Sequence, residues 1–224
     1  MKKYALIVAG GSGNRMGSTT PKQFLLLENL PILMHTISQF QKAEKEIELI
    51  VVLPKDQIDT WNALCKEHNF TIKHSVVEGG ATRFDSVKNG LSMVGTESLV
   101  AIHDGVRPLV STTIILNSFK EAEQSGSAVV AVPLKESIRK KENQTTVSKN
   151  RSDYYLVQTP QTFQSTLIKE YYQQIIDGAK FTDDASVFES QGGEINLVEG
   201  DYKNLKITTP EDLVIAQALL NNNT

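Results

Sequence analysis

Residues 4–24 read YALIVAGGSGNRMGSTTPKQF, and this stretch decides the fold. Its opening, residues 4–9, is an unbroken apolar run with the length and composition of a buried parallel strand. The run empties into a loop with glycines at Gly10, Gly11, Gly13 and Gly17, accompanied by the cations Arg15 and Lys22. Glycine lets the backbone approach a polyphosphate closely and turn its N–H groups toward the oxygens, while cations neutralise charge that those dipoles leave. A strand feeding such a loop places it at the carboxyl edge of a sheet, where open α/β folds bind ligands. A nucleoside triphosphate site is expected here. Spacing excludes two relatives of the motif. A G-x-G-x-x-G dinucleotide fingerprint begun at Gly11 would need glycine where Met16 stands, and a G-x-x-x-x-G-K-S/T loop needs a Gly-Lys pair that is missing.

Further apolar strands are expected at 47–53, 71–77, 99–103 and 127–132, alternating with helical patterns at 32–40, 57–68, 84–94 and 112–124. Such alternation implies βαβ units, right-handed crossovers and a mostly parallel, Rossmann-like sheet flanked by helices. Thr112 or Thr113 can cap the fourth helix, and Gly126 follows its last turn. The pattern breaks at residues 134–158, a polar stretch with six Lys/Arg and an Asn-Gln turn. Short alternating segments at 135–141 and 145–149 read as a β-hairpin with too little apolar surface to fold alone. It is expected to be an arm laid on a second copy of the chain. Helices at 165–177 and 183–189, a strand at 195–198 and a closing helix at 210–221 complete one domain over 1–224, with the arm inside it.

Composition supports this reading. The 224 residues suit one α/β domain, and a net charge of −3 implies no general attraction to nucleic acid or anionic membranes. Phosphate binding then rests on local cations. The single cysteine, Cys65, excludes an internal disulfide and reads as a half-buried structural thiol. No apolar run approaches the roughly 20 residues of a membrane span, and no secretory signal precedes the first strand, so a soluble, cytoplasmic chain is expected.

Five further stretches fall after expected strands or at helix starts: GGATRFDS at 79–86, HDGVRP at 103–108, TPQTF at 159–163, FTDDAS at 181–186 and NLKIT at 204–208. A glycine pair entering a helix can read a base edge with backbone amides. Asp104 beside Arg107 suits a divalent metal, a hydroxyl-rich substrate or a structural ion pair. Thr182 and Asp183 can cap a helix, and Lys206 interrupts an apolar run. The four histidines have no metal-ligand spacing, no residues are paired for covalent catalysis, and His103 reads as structural.

The opening, with its G-G-x-G-x-R-M and P-K-Q-F, resembles those of sugar-nucleotide pyrophosphorylases and cytidylyltransferases. The full ordered series, from GGSGNRMG and PKQF to EGDYKNLKITTPEDL, resembles the 2-C-methyl-D-erythritol 4-phosphate cytidylyltransferase family over nearly the whole chain. That resemblance implies a fold of the nucleotide-diphospho-sugar transferase type. It assigns Gly11, Ser12 and Gly13, within the loop 11–16, to the CTP phosphates, with Arg15 and Lys22 as catalytic cations. Ala9, Gly10, Gly80 and Ser86 fall in the cytosine pocket. Asp104, Arg107, Ser137, Thr159, Thr182 and Lys206 fall in the sugar-phosphate pocket, with Asp104 also counted among the nucleotide-side residues and Lys206 among the catalytic ones. Ser137 stands where the family usually has threonine. Arg151, on the returning limb of the arm, matches an arginine that enters the other subunit's active site, which implies a homodimer. Ala81 departs from an acidic residue found near the base in some members.

The implied reaction is attack of the acceptor phosphate on the α-phosphorus of CTP, with Mg2+ held mainly by the CTP phosphates. Ribitol 5-phosphate cytidylyltransferases share the fold, arm and most motifs and remain the nearest rival. A nucleotide-binding regulator without turnover is the alternative from another class; it predicts loss of Arg15 or Lys22, yet both are present.

Overall fold

A computed structural model describes residues 1–10 and 20–221. The chain runs through β1 (Lys2–Val8), the small hairpin β2 (Leu26–Leu27) and β3 (Leu30–Pro31), then α1 (Ile32–Ala43) and β4 (Glu48–Leu53). Next come α2 (Ile58–Glu67), β5 (Ser75–Glu78), α3 (Arg83–Leu91), β6 (Ser98–Asp104), α4 (Thr112–Ser125) and β7 (Ser127–Pro133). The hairpin β8 (Ile138–Glu142) and β9 (Thr145–Lys149) precedes β10 (Tyr155–Gln164). The chain continues with α5 (Ser165–Gln174), α6 (Asp184–Ser190), β11 (Leu197–Glu199) and α7 (Pro210–Asn221).

The described residues form a seven-stranded sheet in the order β11-β7-β10-β6-β1-β4-β5, parallel except for β10. The period-2 alternation of strand side chains separates its two faces. Ala5, Ile7, Leu49, Val51, Leu99, Ala101 and Val130 pack with α1, α2 and α4 on one side. Tyr4, Leu6, Ile50, Val52, Val100, Ile102 and Val129 pack with α3, α5 and α6 on the other. Because both faces are covered, these strands read as continuous apolar runs rather than alternating ones.

From β1 the chain proceeds outward to β4 and β5, then returns to place β6 on the opposite flank of β1. A crevice opens at such a reversal, beyond the carboxyl ends of the strands. Register aligns those ends, with Val8 opposite both Val52 and Asp104. Gly105 continues the alignment by donating its N–H to Val8 O at 2.8 Å. A Cβ on Gly105 would lie 2.9 Å from Ala9 Cβ, so only glycine lets the two strand ends close this tightly.

Three details differ from the sequence expectations. Ser111, one residue earlier than expected, caps α4 by accepting the Ile114 N–H; Gly126 ends that helix at φ +91°, as expected. The strand expected from residue 71 begins at Ser75. The preceding His74 is engaged instead with the Trp61 indole N–H at 3.0 Å.

The third difference is the ten-residue β10, which inserts antiparallel between β6 and β7. Its first residues, Tyr155 to Val157, already pair with β7, so they belong to the central sheet rather than to the free hairpin. Its ladder shifts register between Val157 and Gln161, around Pro160, which has no N–H to donate.

Candidate active site

Two cavities meet at the carboxyl ends of β1 and β6. The larger, about 260 Å³, lies among Ala9, Gly10, Lys22, Gln23, the head of α3, Asp104, Val106 and Lys206. The smaller, about 150 Å³, lies among Arg107, Gln158, Thr159, Gln161, Thr182 and Asp183. Arg83, Asp104 and Lys206 border both.

Each residue of P-K-Q-F has a physical task. Pro21 precedes a single 3-10 turn, Lys22–Phe24, in which Lys22 is only 8% exposed. Gln23 is fully buried; its amide donates to Ala9 O at 2.8 Å and to the Gln57 side chain, tying this turn to the end of β1. Phe24 stacks near-parallel on Trp61 with ring centroids 6.1 Å apart. Lys22 is thus set into the cavity wall by its neighbours on either side.

The head of α3 forms the opposite wall. Thr82 and Asp85 make a reciprocal capping box. Gly79 donates its N–H to Leu53 O at 2.8 Å, which joins the loop to the sheet. A Cβ on Gly80 would lie 2.3 Å from Asp85 Cβ, so any side chain there would push the loop off the helix. Ser86 Oγ accepts the Gly80 N–H at 3.1 Å and donates to Thr82 O at 2.9 Å, leaving one lone pair. Ala81 borders the same cavity with only a methyl group.

At the seam, Asp104 Oδ2 lies 3.0 Å from Lys206 Nζ and 3.3 Å from Arg107 Nε. Burial alone would raise the Asp104 carboxyl, but Lys206, Arg83 and Arg107 outweigh it and hold the group well below the ordinary range. Burial in turn lowers Arg107, partly offset by Asp104. Arg107 Nη1 also donates to Asn204 O at 2.7 Å, and Ile207 donates its N–H to Val106 O at 2.9 Å. Ile207 is buried with Leu27, Ile32, Val106 and Ala216, so the segment carrying Lys206 is anchored on both sides of it.

Thr159 has a role that sequence reading did not assign. Its Oγ accepts the Asp104 backbone N–H at 3.1 Å and lies 3.0 Å from His103 Nδ1. His103 Nε2 lies 3.2 Å from the Arg107 carbonyl, which only accepts, so Nε2 carries the proton and Thr159 donates to Nδ1. Burial lowers His103 to about 4, consistent with this neutral ring at pH 7. Thr159 and His103 therefore brace the end of β6, and Thr159 keeps only acceptor capacity toward a ligand.

The structure thus gathers Ala9, Gly10, Lys22, Gly80 and Ser86 around one cavity, and Arg107, Thr159 and Thr182 around the other, with Asp104 and Lys206 shared. Gly11, Ser12, Gly13 and Arg15 lie outside the described residues. Ser137 and Arg151 line neither cavity; both are exposed on the arm, where Arg151 Nη1 bonds to Lys135 O. Sequence reading assigned nothing to Arg83, Gln161 or Asp184, although all three stand inside the quoted motifs. Arg83 and Asp184 form a two-armed ion pair, and Gln161 Oε1 accepts the N–H groups of Asp184 and Ala185 at 2.9 and 2.8 Å. Asp183 is the N-cap of α6, as its bland reading expected, and Gln161 donates to its free oxygen at 3.0 Å.

The family model described as IspD, 2-C-methyl-D-erythritol 4-phosphate cytidylyltransferase, matches residues 4–222. A curated protein of that name from Bacteroides thetaiotaomicron is 47% identical over 98% of this chain and 100% of its own length. One from Azobacteroides pseudotrichonymphae is 49% identical over 98% of this chain and 99% of its own. Among solved structures, a 4-diphosphocytidyl-2C-methyl-D-erythritol synthase from Anaerococcus prevotii superposes with a TM-score of 0.84 at 30% identity, covering 98% of each chain. The Thermus thermophilus cytidylyltransferase gives 0.79 at 30% identity, covering 99% of this chain and all of the other. With its cavities at the switch between β1 and β6 and its sequence matched almost from end to end, the chain belongs to the IspD family of 2-C-methyl-D-erythritol 4-phosphate cytidylyltransferases.

Proposed function

We propose that this chain transfers CMP from CTP to 2-C-methyl-D-erythritol 4-phosphate, giving 4-diphosphocytidyl-2-C-methyl-D-erythritol and pyrophosphate. The observation that carries the proposal is the pair of cavities sharing Asp104, Lys206 and Arg83, within a chain that matches the family over 4–222. A phosphate monoester dianion is already a nucleophile, so the chemistry needs no general base. One acceptor oxygen bonds to the α-phosphorus of CTP, the bond to the bridging oxygen breaks, and its electron pair leaves with pyrophosphate. The protein's work is positioning and charge stabilisation.

In this reading the glycine-bordered cavity takes the cytosine end of CTP. The remaining lone pair of Ser86 Oγ suits the exocyclic amino donor, and Ala9, Gly10 and Gly80 offer backbone groups to the base edge. Lys22 and Arg15 serve the phosphates. The Asp104 carboxylate suits the polyol hydroxyls, while Arg107 and Lys206 supply positive charge beside them. Among the described residues no three His, Cys, Asp or Glu side chains converge, whereas one carboxylate, Asp104, borders the larger cavity. That donor set fits Mg2+ coordinated mainly by triphosphate and water, an ion that would neutralise charge on the phosphates.

The same proposal includes a homodimer through residues 134–158. At the foot of the arm Tyr155, Leu156 and Val157 are 51%, 52% and 46% exposed, an apolar strip unusual on a lone sheet edge. The β8–β9 hairpin beyond it has no buried residues to stabilise it alone. A second copy covering the strip would bring Arg151 and Ser137 toward the partner's acceptor cavity. No helix of the described residues is long and apolar enough to cross a membrane. Burial raises the lone thiol, Cys65, to about 11, which makes it a structural rather than a reactive group. A cytoplasmic location, where CTP is found, is part of the proposal.

The test is pyrophosphate release from CTP and magnesium with each acceptor in turn. 2-C-methyl-D-erythritol 4-phosphate should give the highest kcat/KM. A higher value with ribitol 5-phosphate would overturn the substrate while keeping the reaction class. No release with either acceptor would favour the regulator.

A further inference from the structure

Two helices meet head to head at one ion pair. Arg83 is the first residue of α3 and Asp184 the first residue of α6. Arg83 Nη1 donates to Asp184 Oδ1 at 3.0 Å and Nη2 to Oδ2 at 2.6 Å, a parallel fork. Tyr172 Oη donates to the same Oδ1 at 2.6 Å, and Gln161 holds the Asp184 backbone N–H. Burial opposes the charge on Arg83, and the Asp184 carboxylate outweighs it, so the guanidinium is held above its ordinary range.

The two partners differ in exposure. The Asp184 side chain is fully buried, whereas 27% of the Arg83 side chain is exposed, where the two cavities meet. An ion pair that only joins two helices gains nothing by presenting its cation to a ligand cavity, and apolar replacements of such pairs are often neutral or stabilising. A guanidinium has five N–H donors, and the fork engages two. Among the described residues the other three have no hydrogen-bond partner, and a planar fork turns them away from the carboxylate that it grips. Around the two cavities four cations, Lys22, Arg83, Arg107 and Lys206, stand against three carboxylates, Asp104, Asp183 and Asp184. That surplus suits an anion.

Resting on the cytidylyl-transfer reading above, we propose that Arg83 is a substrate-contacting cation at the seam of the two cavities. It donates to nonbridging oxygens of the phosphoryl group in transfer, and Asp184 and Tyr172 are the positioning residues that aim it. The transferring phosphoryl is the group that both cavities must share, since the base and the polyol each occupy one. Its oxygens gain charge as the new bond forms, so a fixed donor there acts more on the transition state than on either bound substrate.

The experiment compares Arg83→Lys, Arg83→Met, Asp184→Asn, Tyr172→Phe and the Arg83→Lys/Asp184→Asn double variant in the full chain. Steady-state pyrophosphate release gives kcat and both KM values, and thermal unfolding is recorded beside it. Arg83→Lys keeps the charge but loses the fork, and kcat should fall about 100-fold, as for loss of one oxyanion donor, with each KM within about threefold. Asp184→Asn should fall about 10-fold and Tyr172→Phe about threefold. The double variant should be no slower than Arg83→Lys alone, because an unaimed arginine is already lost. A lowered thermal midpoint with wild-type kcat in all variants would make the pair purely structural and overturn the proposal, as would multiplicative losses in the double variant. If Asp184→Asn does not fold, Arg83→Lys and Tyr172→Phe decide the question. An inactive wild type would refute the reaction itself, whereas an active wild type with unaffected variants refutes this proposal alone.

Discussion

Replacing Asp104 by asparagine removes the charge that Lys206 and Arg107 share while preserving side-chain size. The Asp104 and Arg107 side chains are each 11% exposed and Lys206 is 40% exposed, so the two contacts are not equivalent. Breaking a buried pair by removing one partner costs about 3–5 kcal/mol, whereas a solvent-screened pair contributes about 1 kcal/mol or less. Weighting toward Arg107 gives a loss of about 3 kcal/mol, or roughly 6–12 °C in Tm for a domain of this size. The catalytic effect is separable. A carboxylate receiving polyol hydroxyls through charge-assisted hydrogen bonds contributes about 1.5–3 kcal/mol per bond, so acceptor kcat/KM should fall about 100-fold. CTP affinity should stay within about threefold, because Lys22, Gly80 and Ser86 are untouched. Pyrophosphate release measured well below the variant's Tm, beside direct CTP binding, separates the two quantities. A folded Asp104→Asn protein with acceptor kcat/KM within threefold of wild type would refute the assignment of Asp104 to the polyol.

Lys22→Ala should lower kcat about 100-fold with a much smaller change in CTP affinity, and a raised KM alone would reduce Lys22 to a binding group. Gly80→Ala should weaken CTP binding about 10-fold or more by titration, because the added methyl meets Asp85 at the head of α3. The neutral ring of His103 should make stability fall as pH is lowered from 6.5 toward about 4, since in that window the unfolded chain binds a proton that the folded chain refuses. His103→Gln should flatten that slope in urea unfolding curves, and an unchanged slope would remove His103 as its source. Mixing Arg151→Ala and Lys22→Ala chains should restore activity above either mutant, since one site of the heterodimer is then intact; no recovery in proven heterodimers would place Arg151 outside the partner's site.

Four parallel strands were legible because they are buried on two faces, which writes a continuous apolar run into the sequence, whereas the half-exposed β5 was misplaced. Residues 4–9, 47–53, 99–103 and 127–132 carry that mark, and the structure places β1, β4, β6 and β7 there within a residue or two. Strand β10 carries no such mark. Its sequence, YLVQTPQTFQ, mixes exposed apolar residues at one end with buried polar ones at the other, and Pro160 breaks the pattern that would announce a strand. The site divides in the same way. Glycines, cations and carboxylates within a short motif have local chemical meaning, so Lys22, Gly80 and Asp104 could each be singled out within its own stretch. Arg83 and Asp184 have meaning only across 101 residues of sequence, and no local pattern pairs them.

The unanticipated strand also joins the polar arm to the smaller of the two cavities. β10 begins at the arm with exposed Tyr155, Leu156 and Val157, and within the next few residues delivers Gln158, Thr159 and Gln161 to the smaller cavity. Gln158 and Thr159 grip Asn204 through its amide nitrogen at 3.2 and 2.8 Å, and the Asn204 carbonyl in turn receives Arg107. Thr159 braces His103 and the Asp104 backbone, while Gln161 holds the head of α6 beneath Arg83. The register shift around Pro160 releases the ladder where these side chains are needed. A strand running antiparallel to its neighbours is the geometry that makes this possible. It enters the sheet from the carboxyl edge, where the arm stands and the two cavities open, so its first residues stay exposed beside the arm and its next ones line the smaller cavity. A parallel strand in the same place would enter from the opposite edge and present its first residues far from both.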